Sequence, residues 1–148
     1  MKYVFLFILP ILCFSSCDKN KKQAEKDEKI IKQYISDHGL TATATGSGLY
    51  YVIETQGSGA SCNTNSTVKV SYKGYYTDGS VFDESSAAGI EFGLQNVIEG
   101  WTEGIPYFKE GGNGILLIPS GLGYGSQDHS GIPANSVLIF DVALIAVL

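Results

Sequence analysis

Residues 97–101 read Val-Ile-Glu-Gly-Trp and contain the only tryptophan of the chain. A helix that begins here can continue for only about two turns, because Pro106 follows and the residue before a proline is pushed out of helical geometry. The flanking segments are rich in tyrosine, valine and isoleucine, which is typical of strands. Such a short helix can place Trp101 at the floor of a concave site or bury it under a sheet, and the spacing alone favours the buried position.

Six segments around this helix predict strands, at residues 49–54, 67–76, 80–83, 90–94, 114–118 and 136–145. Residues 67–76 alternate with period two, so we expect Val68, Val70, Tyr72 and Gly74 to face inward. The last segment is long and apolar, as a central strand would be. Short connections join these segments, and Asp-Gly at 78–79 is a tight-turn pair. The pattern predicts an antiparallel α+β domain with five or six strands and one short helix.

The charge of this domain is strongly acidic. The chain contains no arginine, and from residue 46 onward ten carboxylates stand against three lysines. A basic patch is the usual signature of a nucleic-acid partner, so this composition argues against one.

The N-terminus has the pattern of a targeting segment. Lys2 is followed by about twelve apolar residues, which is typical of a secretory signal peptide and too short to span a bilayer comfortably. Residues 14–17 read Phe-Ser-Ser-Cys and are similar to a bacterial lipobox, with Phe where Leu is usual. We expect a lipoprotein signal peptide at 1–16 and lipidation of Cys17. An ordinary signal peptide followed by an incidental cysteine is the alternative.

Residues 17–45 are expected to form a lipid-anchored, charged spacer. Residues 18–29 are almost all charged or polar, so they are solvated and either helical or disordered. Ile30, Ile31, Tyr34 and Ile35 then mark one face of a short helix that ends near Gly39. This face must pack against the domain or against a second copy. Residues 41–47 are expected to be a linker.

Chemistry that depends on metals, cofactors or nucleophiles is not indicated. Cys13 would leave with the signal peptide and Cys17 would carry lipid, so Cys62 remains alone and the domain lacks an internal disulfide. His38 and His129 are the only histidines, and no cluster has metal-ligand spacing. Gly-Leu-Gly-Tyr-Gly at 121–125 is not followed by a predicted helix, so it does not indicate a dinucleotide site.

Several short motifs follow one another along the predicted domain. They are Val-Ser-Tyr-Lys-Gly at 70–74, Asp-Gly at 78–79, Phe-Asp at 82–83, Val-Ile-Glu-Gly-Trp at 97–101, Ile-Pro at 118–119, Tyr-Gly at 124–125, Gly-Ile-Pro at 131–133 and Phe-Asp-Val at 140–142. In order and spacing they resemble the FKBP-type peptidyl-prolyl cis-trans isomerases. The resemblance implies an isomerase domain at 46–148, with a twisted antiparallel sheet wrapped around the short helix.

The resemblance also implies a cup that binds proline, with Trp101 as its floor. The expected catalytic residues are Tyr72, Asp83, Trp101, Tyr124 and Phe140, and the expected substrate-binding residues are Phe82, Ile90, Val97, Ile98 and Ile132. In the family, an arginine that can pair with the aspartate often follows it. Here residues 84–89 read Glu-Ser-Ser-Ala-Ala-Gly, so Asp83 lacks a nearby cation and has a like charge beside it.

The resemblance therefore implies an enzyme that rotates Xaa-Pro bonds in exported chains and assists their folding, without a metal or cofactor. Proline-containing polypeptides would be substrates and rapamycin-like macrolides inhibitors. A tethered monomer is expected in the cell envelope, on the inner or outer membrane, facing the periplasm or the exterior. The alternative is a non-catalytic peptide-binding or chaperone module that uses the same cup.

Overall fold

The structure is a computed structural model and describes residues 15–148. The expected signal peptide therefore lies almost wholly outside the described residues. The chain forms helix α1 (Ser15–Asp37), strands β1 (Thr43–Ala44), β2 (Tyr50–Thr55), β3 (Thr67–Tyr75), β4 (Val81–Glu84) and β5 (Ile90–Gly93), helix α2 (Glu99–Gly104), and strands β6 (Asn113–Ile118) and β7 (Leu138–Val147). Two short 3-10 helices, Ile105–Tyr107 and Ser120–Leu122, flank β6.

The strands form one antiparallel sheet in the order β1-β2-β6-β7-β3-β4, and β5 also pairs with β3. The apolar strand β7 is central, as predicted. The sheet has seven strands rather than five or six, because β1 forms within the segment expected to be a linker and pairs with β2. Both residues of β1 are exposed, so the strand depends on backbone pairing and leaves no hydrophobic pattern in the sequence.

Helix α2 packs closely on strand β6 because two of its residues are glycines. A Cβ atom on Gly100 would lie 2.5 Å from Ile118 Cγ2, and one on Gly104 would lie 2.7 Å from Leu116 Cδ2. The helix then tightens into the 3-10 turn that contains Pro106, so it ends where the proline predicts. This close approach brings Trp101 against the inner face of the sheet, where it is 3% exposed.

Helix α1 covers the opposite face of the sheet. Its Ile31 is fully buried in a second apolar cluster, which also contains Ile115 and Leu117 of β6. Leu116 and Ile118, the alternate residues of β6, lie in the main core with Trp101. Because both faces of β6 are covered, its sequence is continuously apolar rather than alternating.

The charged run from residue 18 to 29 is helical and belongs to α1. The sequence left open whether the face around Ile31 packs against the domain or against a second copy. In the structure this face packs against the domain. No helix within residues 15–148 is both long enough and apolar enough to cross a membrane.

Candidate active site

A hollow of about 390 Å³ opens on the concave face of the sheet above α2. Its size is typical of a small-molecule pocket. The strands β3, β4, β5 and β7, the start of α2 and the loop after β6 all contribute to its lining. The residues that line this hollow, which we call the cup, are Tyr72, Phe82, Asp83, Phe92, Asn96, Val97, Ile98, Trp101, Tyr124 and Phe140.

Trp101 lies at the floor of the cup. Its ring makes edge-to-face contacts with Tyr72, Phe92 and Phe140, with centroid distances of 5.1, 5.4 and 5.4 Å. Such contacts hold aromatic rings in fixed relative orientations. The indole is therefore both a core residue and part of the cup lining, so the two positions that the sequence left open are not exclusive. Its buried Nε1–H has no hydrogen-bond partner within residues 15–148.

Phe82 and Phe140 form a wall of the cup, and Gly74 lies directly behind them. The two rings meet edge to face, with centroids 5.5 Å apart. A Cβ atom on Gly74 would lie 2.6 Å from Phe82 Cζ and 2.8 Å from Phe140 Cε1. These separations are too short for a methyl group, so this wall requires glycine on the inward face of β3.

The rim of the cup carries one carboxylate and two tyrosine hydroxyls. The Tyr72 hydroxyl donates a hydrogen bond of 2.7 Å to Asp83 Oδ2. Burial and the hydrogen bond to Asp83 raise the pKa of Tyr72 to about 12. Burial, together with the negative charge of Asp83, also raises the pKa of Tyr124. Both tyrosines therefore remain protonated hydrogen-bond donors well above neutral pH.

Asp83 has no cationic partner at the rim. In the part of the chain that the structure describes, Lys32–Glu28 is the only ion pair within 4 Å. Glu84, the like charge next to Asp83, lies opposite Lys73 on β3, whereas Asp83 lies opposite Gly74. Glu84 lines an outer groove and does not line the cup.

A backbone donor also reaches the cup at Ile98, the residue before α2. The Ile98 carbonyl accepts hydrogen bonds from the Trp101 and Thr102 N–H groups, at 2.9 and 3.2 Å. The Ile98 N–H donates to no backbone carbonyl in the turns and loops of residues 15–148. Backbone N–H groups in folded proteins usually have a hydrogen-bond partner. A ligand carbonyl can serve as that partner for the Ile98 N–H.

Two residues expected in the cup lie outside its lining. Ile90 is 44% exposed on β5, and Phe92, two residues further on the same face, lies beside Trp101 instead. The alternation of residues 90–94 could have indicated Phe92. Ile132 is 7% exposed and borders a neighbouring hollow that shares Phe82, Asp83 and Tyr124 with the cup. Asn96, in the turn before α2, lines the cup without a signal in the sequence.

Outside the cup, residues 46–148 provide neither an activated thiol nor a metal-binding cluster. Cys62 is partly buried, and burial raises the pKa of its thiol, which disfavours the nucleophilic thiolate. Across residues 15–148, no group of three or more histidine, cysteine, aspartate or glutamate side chains could hold a metal ion.

Comparisons with known proteins find one family. Residues 59–145 match the family model described as FKBP-type peptidyl-prolyl cis-trans isomerase. The chain is 40% identical over 134 residues to FkpA of Escherichia coli K12, covering 89% of this chain and 47% of that protein. It is 42% identical over 130 residues to a probable FkpA of Neisseria meningitidis, covering 86% and 47%. The chain thus spans about half the length of these curated relatives.

Two crystal structures have a similar fold. That of FkpA from Escherichia coli superposes with a TM-score of 0.75 at 36% identity, covering 88% of this chain and 63% of the other. That of a peptidyl-prolyl cis-trans isomerase from Pseudomonas syringae superposes with a TM-score of 0.74 at 28% identity, covering 86% and 94%.

Proposed function

Since the chain belongs to the FKBP-type peptidyl-prolyl cis-trans isomerase family, we propose that it catalyses rotation about Xaa-Pro bonds in exported chains and assists their folding. One observation carries this proposal: an open, aromatic-walled hollow above Trp101, with the Asp83 carboxylate and the hydroxyls of Tyr72 and Tyr124 at its rim. This arrangement suits a reaction that needs binding and desolvation and does not need a nucleophile.

The physical demand of the reaction explains why an apolar cup is sufficient. A prolyl bond rotates through a twisted state that has lost amide resonance, and the uncatalysed barrier is about 20 kcal/mol. Water that hydrogen-bonds to the imide carbonyl favours the planar ground state. A cup that excludes this water and binds the twisted form more tightly than the planar one lowers the barrier.

Each part of the cup has a role in this proposal. The proline ring packs on Trp101 between the walls formed by Tyr72, Phe82 and Phe140. The Ile98 N–H and the Tyr124 hydroxyl donate hydrogen bonds to substrate carbonyls. Asp83 at the rim faces the carbonyl that rotates, and its hydrogen bond to Tyr72 keeps the carboxylate in place.

The test is the rate of cis-trans exchange in a short Xaa-Pro peptide, measured by NMR exchange spectroscopy with the full chain. We expect acceleration over buffer, and a lower rate with Asp83→Ala, which changes a rim residue outside the core. Peptide binding without acceleration by the folded protein would favour the alternative, a chaperone module. We also propose that rapamycin-like macrolides bind the cup and compete with the peptide, which the same spectra would reveal.

We further propose that the protein is anchored by a lipid on Cys17, on the inner or outer membrane, with its domain facing the periplasm or the exterior. The position of Cys17 supports this proposal, because its side chain is exposed near the start of α1. Mass spectrometry of the cell-envelope protein is expected to show a diacylglyceryl adduct that Cys17→Ser abolishes. Sedimentation of the detergent-solubilised protein is expected to show a monomer. An unmodified Cys17 would contradict the lipid anchor. A concentration-dependent dimer would contradict the monomer.

A further inference from the structure

A buried carboxylate joins α1 to the domain. Asp27 lies within the charged run of α1, yet it is 1% exposed. Its Oδ2 accepts hydrogen bonds from Ser120 N at 2.9 Å and Ser120 Oγ at 2.6 Å, and its Oδ1 accepts one from Gln23 Nε2 at 2.7 Å. Burying a carboxylate is costly unless its oxygens are satisfied, and these three donors satisfy them.

Ser120 in turn organises the loop that carries Tyr124. It begins the 3-10 turn Ser120–Leu122 and is 3% exposed. Its carbonyl accepts hydrogen bonds from Gly123 N at 3.1 Å and Gly125 N at 2.9 Å. These are the residues immediately before and after Tyr124, so a single carbonyl holds both sides of the tyrosine. Without these two hydrogen bonds, Gly123 and Gly125 would leave the loop free to adopt many conformations.

We propose that Asp27 is a positioning residue for Tyr124: by fixing Ser120 from the outer face of the sheet, it holds the Tyr124 hydroxyl at the rim of the cup. The role assigned to that hydroxyl rests on the proposed isomerase function, whereas the positioning itself does not. Helix α1 is then part of the functional unit and not only a spacer between the domain and its anchor.

The chain offers a matched control on the same helix. Asp37 accepts a hydrogen bond of 2.7 Å from Gln33 Nε2, with the same four-residue spacing as Gln23 and Asp27, but this second pair is exposed. Asp37→Ala therefore removes a similar bond within the helix without touching the Ser120 turn. Asp27→Asn is the conservative variant, because its amide oxygen can still accept from Ser120.

The position of Tyr124 can be followed without an activity assay. Its ring stacks on His129, with centroids 4.6 Å apart and planes inclined by 11°. In NMR spectra of the full chain, Asp27→Ala is expected to shift or broaden the Tyr124 and His129 ring resonances. Asp27→Asn is expected to change these resonances much less than Asp27→Ala does. Asp37→Ala is expected to leave them unchanged. Unchanged ring resonances in folded Asp27→Ala would overturn the proposal.

Activity then shows whether Asp27 acts through the Tyr124 hydroxyl. A hydrogen bond of ordinary strength predicts that Tyr124→Phe lowers kcat/KM by about threefold to tenfold. Asp27→Ala is expected to lower it by no more than this, and to cause no further loss in the Tyr124→Phe background. Equal losses in both backgrounds would show that Asp27 acts on the fold in general, and would also overturn the proposal.

Failure of the proposal and failure of the isomerase function remain distinguishable. If the wild-type chain does not accelerate exchange, the function fails, and the ring resonances still decide whether Asp27 positions Tyr124. If Asp27→Ala is too unstable to measure, Ser120→Ala removes only the Oγ donor, and the same resonances are expected to change in the same direction. Unchanged resonances in that variant would count against the proposal.

Discussion

The hydroxyl of Tyr72 donates a 2.7 Å hydrogen bond to the carboxylate of Asp83 across the rim of the cup. Strands β3 and β4 are antiparallel neighbours, and Gly74, two residues after Tyr72 on the same face, lies opposite Asp83. The bond therefore runs diagonally between the two strands, over the gap that a glycine leaves. It keeps the Tyr72 ring edge to face with Trp101 and orients Asp83 without help from a cation.

Removing this hydrogen bond is expected to slow the proposed peptide exchange more than it destabilises the fold. Tyr72→Phe is predicted to lower kcat/KM by about threefold to tenfold, because the rim carboxylate loses the donor that orients it. The control is Tyr75→Phe on the same strand, which removes a similar bond from the Tyr75 hydroxyl to Asp141 at 2.8 Å, outside the cup. Peptide exchange rates and urea unfolding check both variants, and equal effects on kcat/KM would refute a special role for the rim bond.

The raised pKa of Tyr72 also predicts a loss of stability at alkaline pH. Its pKa is raised to about 12 by burial and by Asp83, whereas a tyrosine in an unfolded chain ionises near pH 10. Between these values the native state holds a proton that the unfolded state has released, so the free energy of unfolding falls as pH rises through this window. The stabilisation is fully present below about pH 10. Urea midpoints measured from pH 8 to 11 are expected to fall less steeply for Tyr72→Phe than for the wild type. Parallel curves would contradict the assignment.

Most of the cup was predicted by the family resemblance, and the strand pattern of the sequence supports only part of it. The alternation of residues 67–76 places Tyr72 and Gly74 on the inner face, and the structure agrees. The family resemblance then brought together residues from β3, β4, α2, β7 and the loop after β6. Transfer of the family's site residue by residue gives Ile90 and not Phe92, although Phe92 is the β5 residue that lines the cup.

The role of α1 could not be predicted from its own residues. A run of lysines, glutamates and aspartates indicates solvation, and nothing local distinguishes Asp27 from its exposed neighbours. Its burial depends on Ser120, 93 positions later in the chain. Strand β1 escaped prediction for a related reason, because two exposed residues paired only through their backbone leave no periodicity to detect.

Helix α1 is expected to contribute measurably to stability through Ile31. This side chain is fully buried against the outer face of the sheet, whereas its neighbour Ile30 is 41% exposed. Ile31→Ala is predicted to cost about 2–5 kcal/mol in the free energy of unfolding, and Ile30→Ala less than about 0.5 kcal/mol. Hydrogen exchange shows where the loss falls, because amides of α1 and β2 are expected to lose protection first in Ile31→Ala. Similar costs for the two variants would mean that α1 is not docked as described.

Gly74 offers the sharpest test of the shape of the cup. Adding a methyl group there places it 2.6 Å from Phe82 and 2.8 Å from Phe140, so both rings must move. Gly74→Ala is predicted to destabilise the fold by about 1–3 kcal/mol and to lower kcat/KM by about tenfold or more, because a displaced wall no longer fits the twisted proline. The control is Gly121→Ala, whose Cβ would meet no atom within 4 Å. Peptide exchange rates and urea unfolding are compared for both variants. Full activity in Gly74→Ala would show that the position of the Phe82–Phe140 wall does not matter for the reaction.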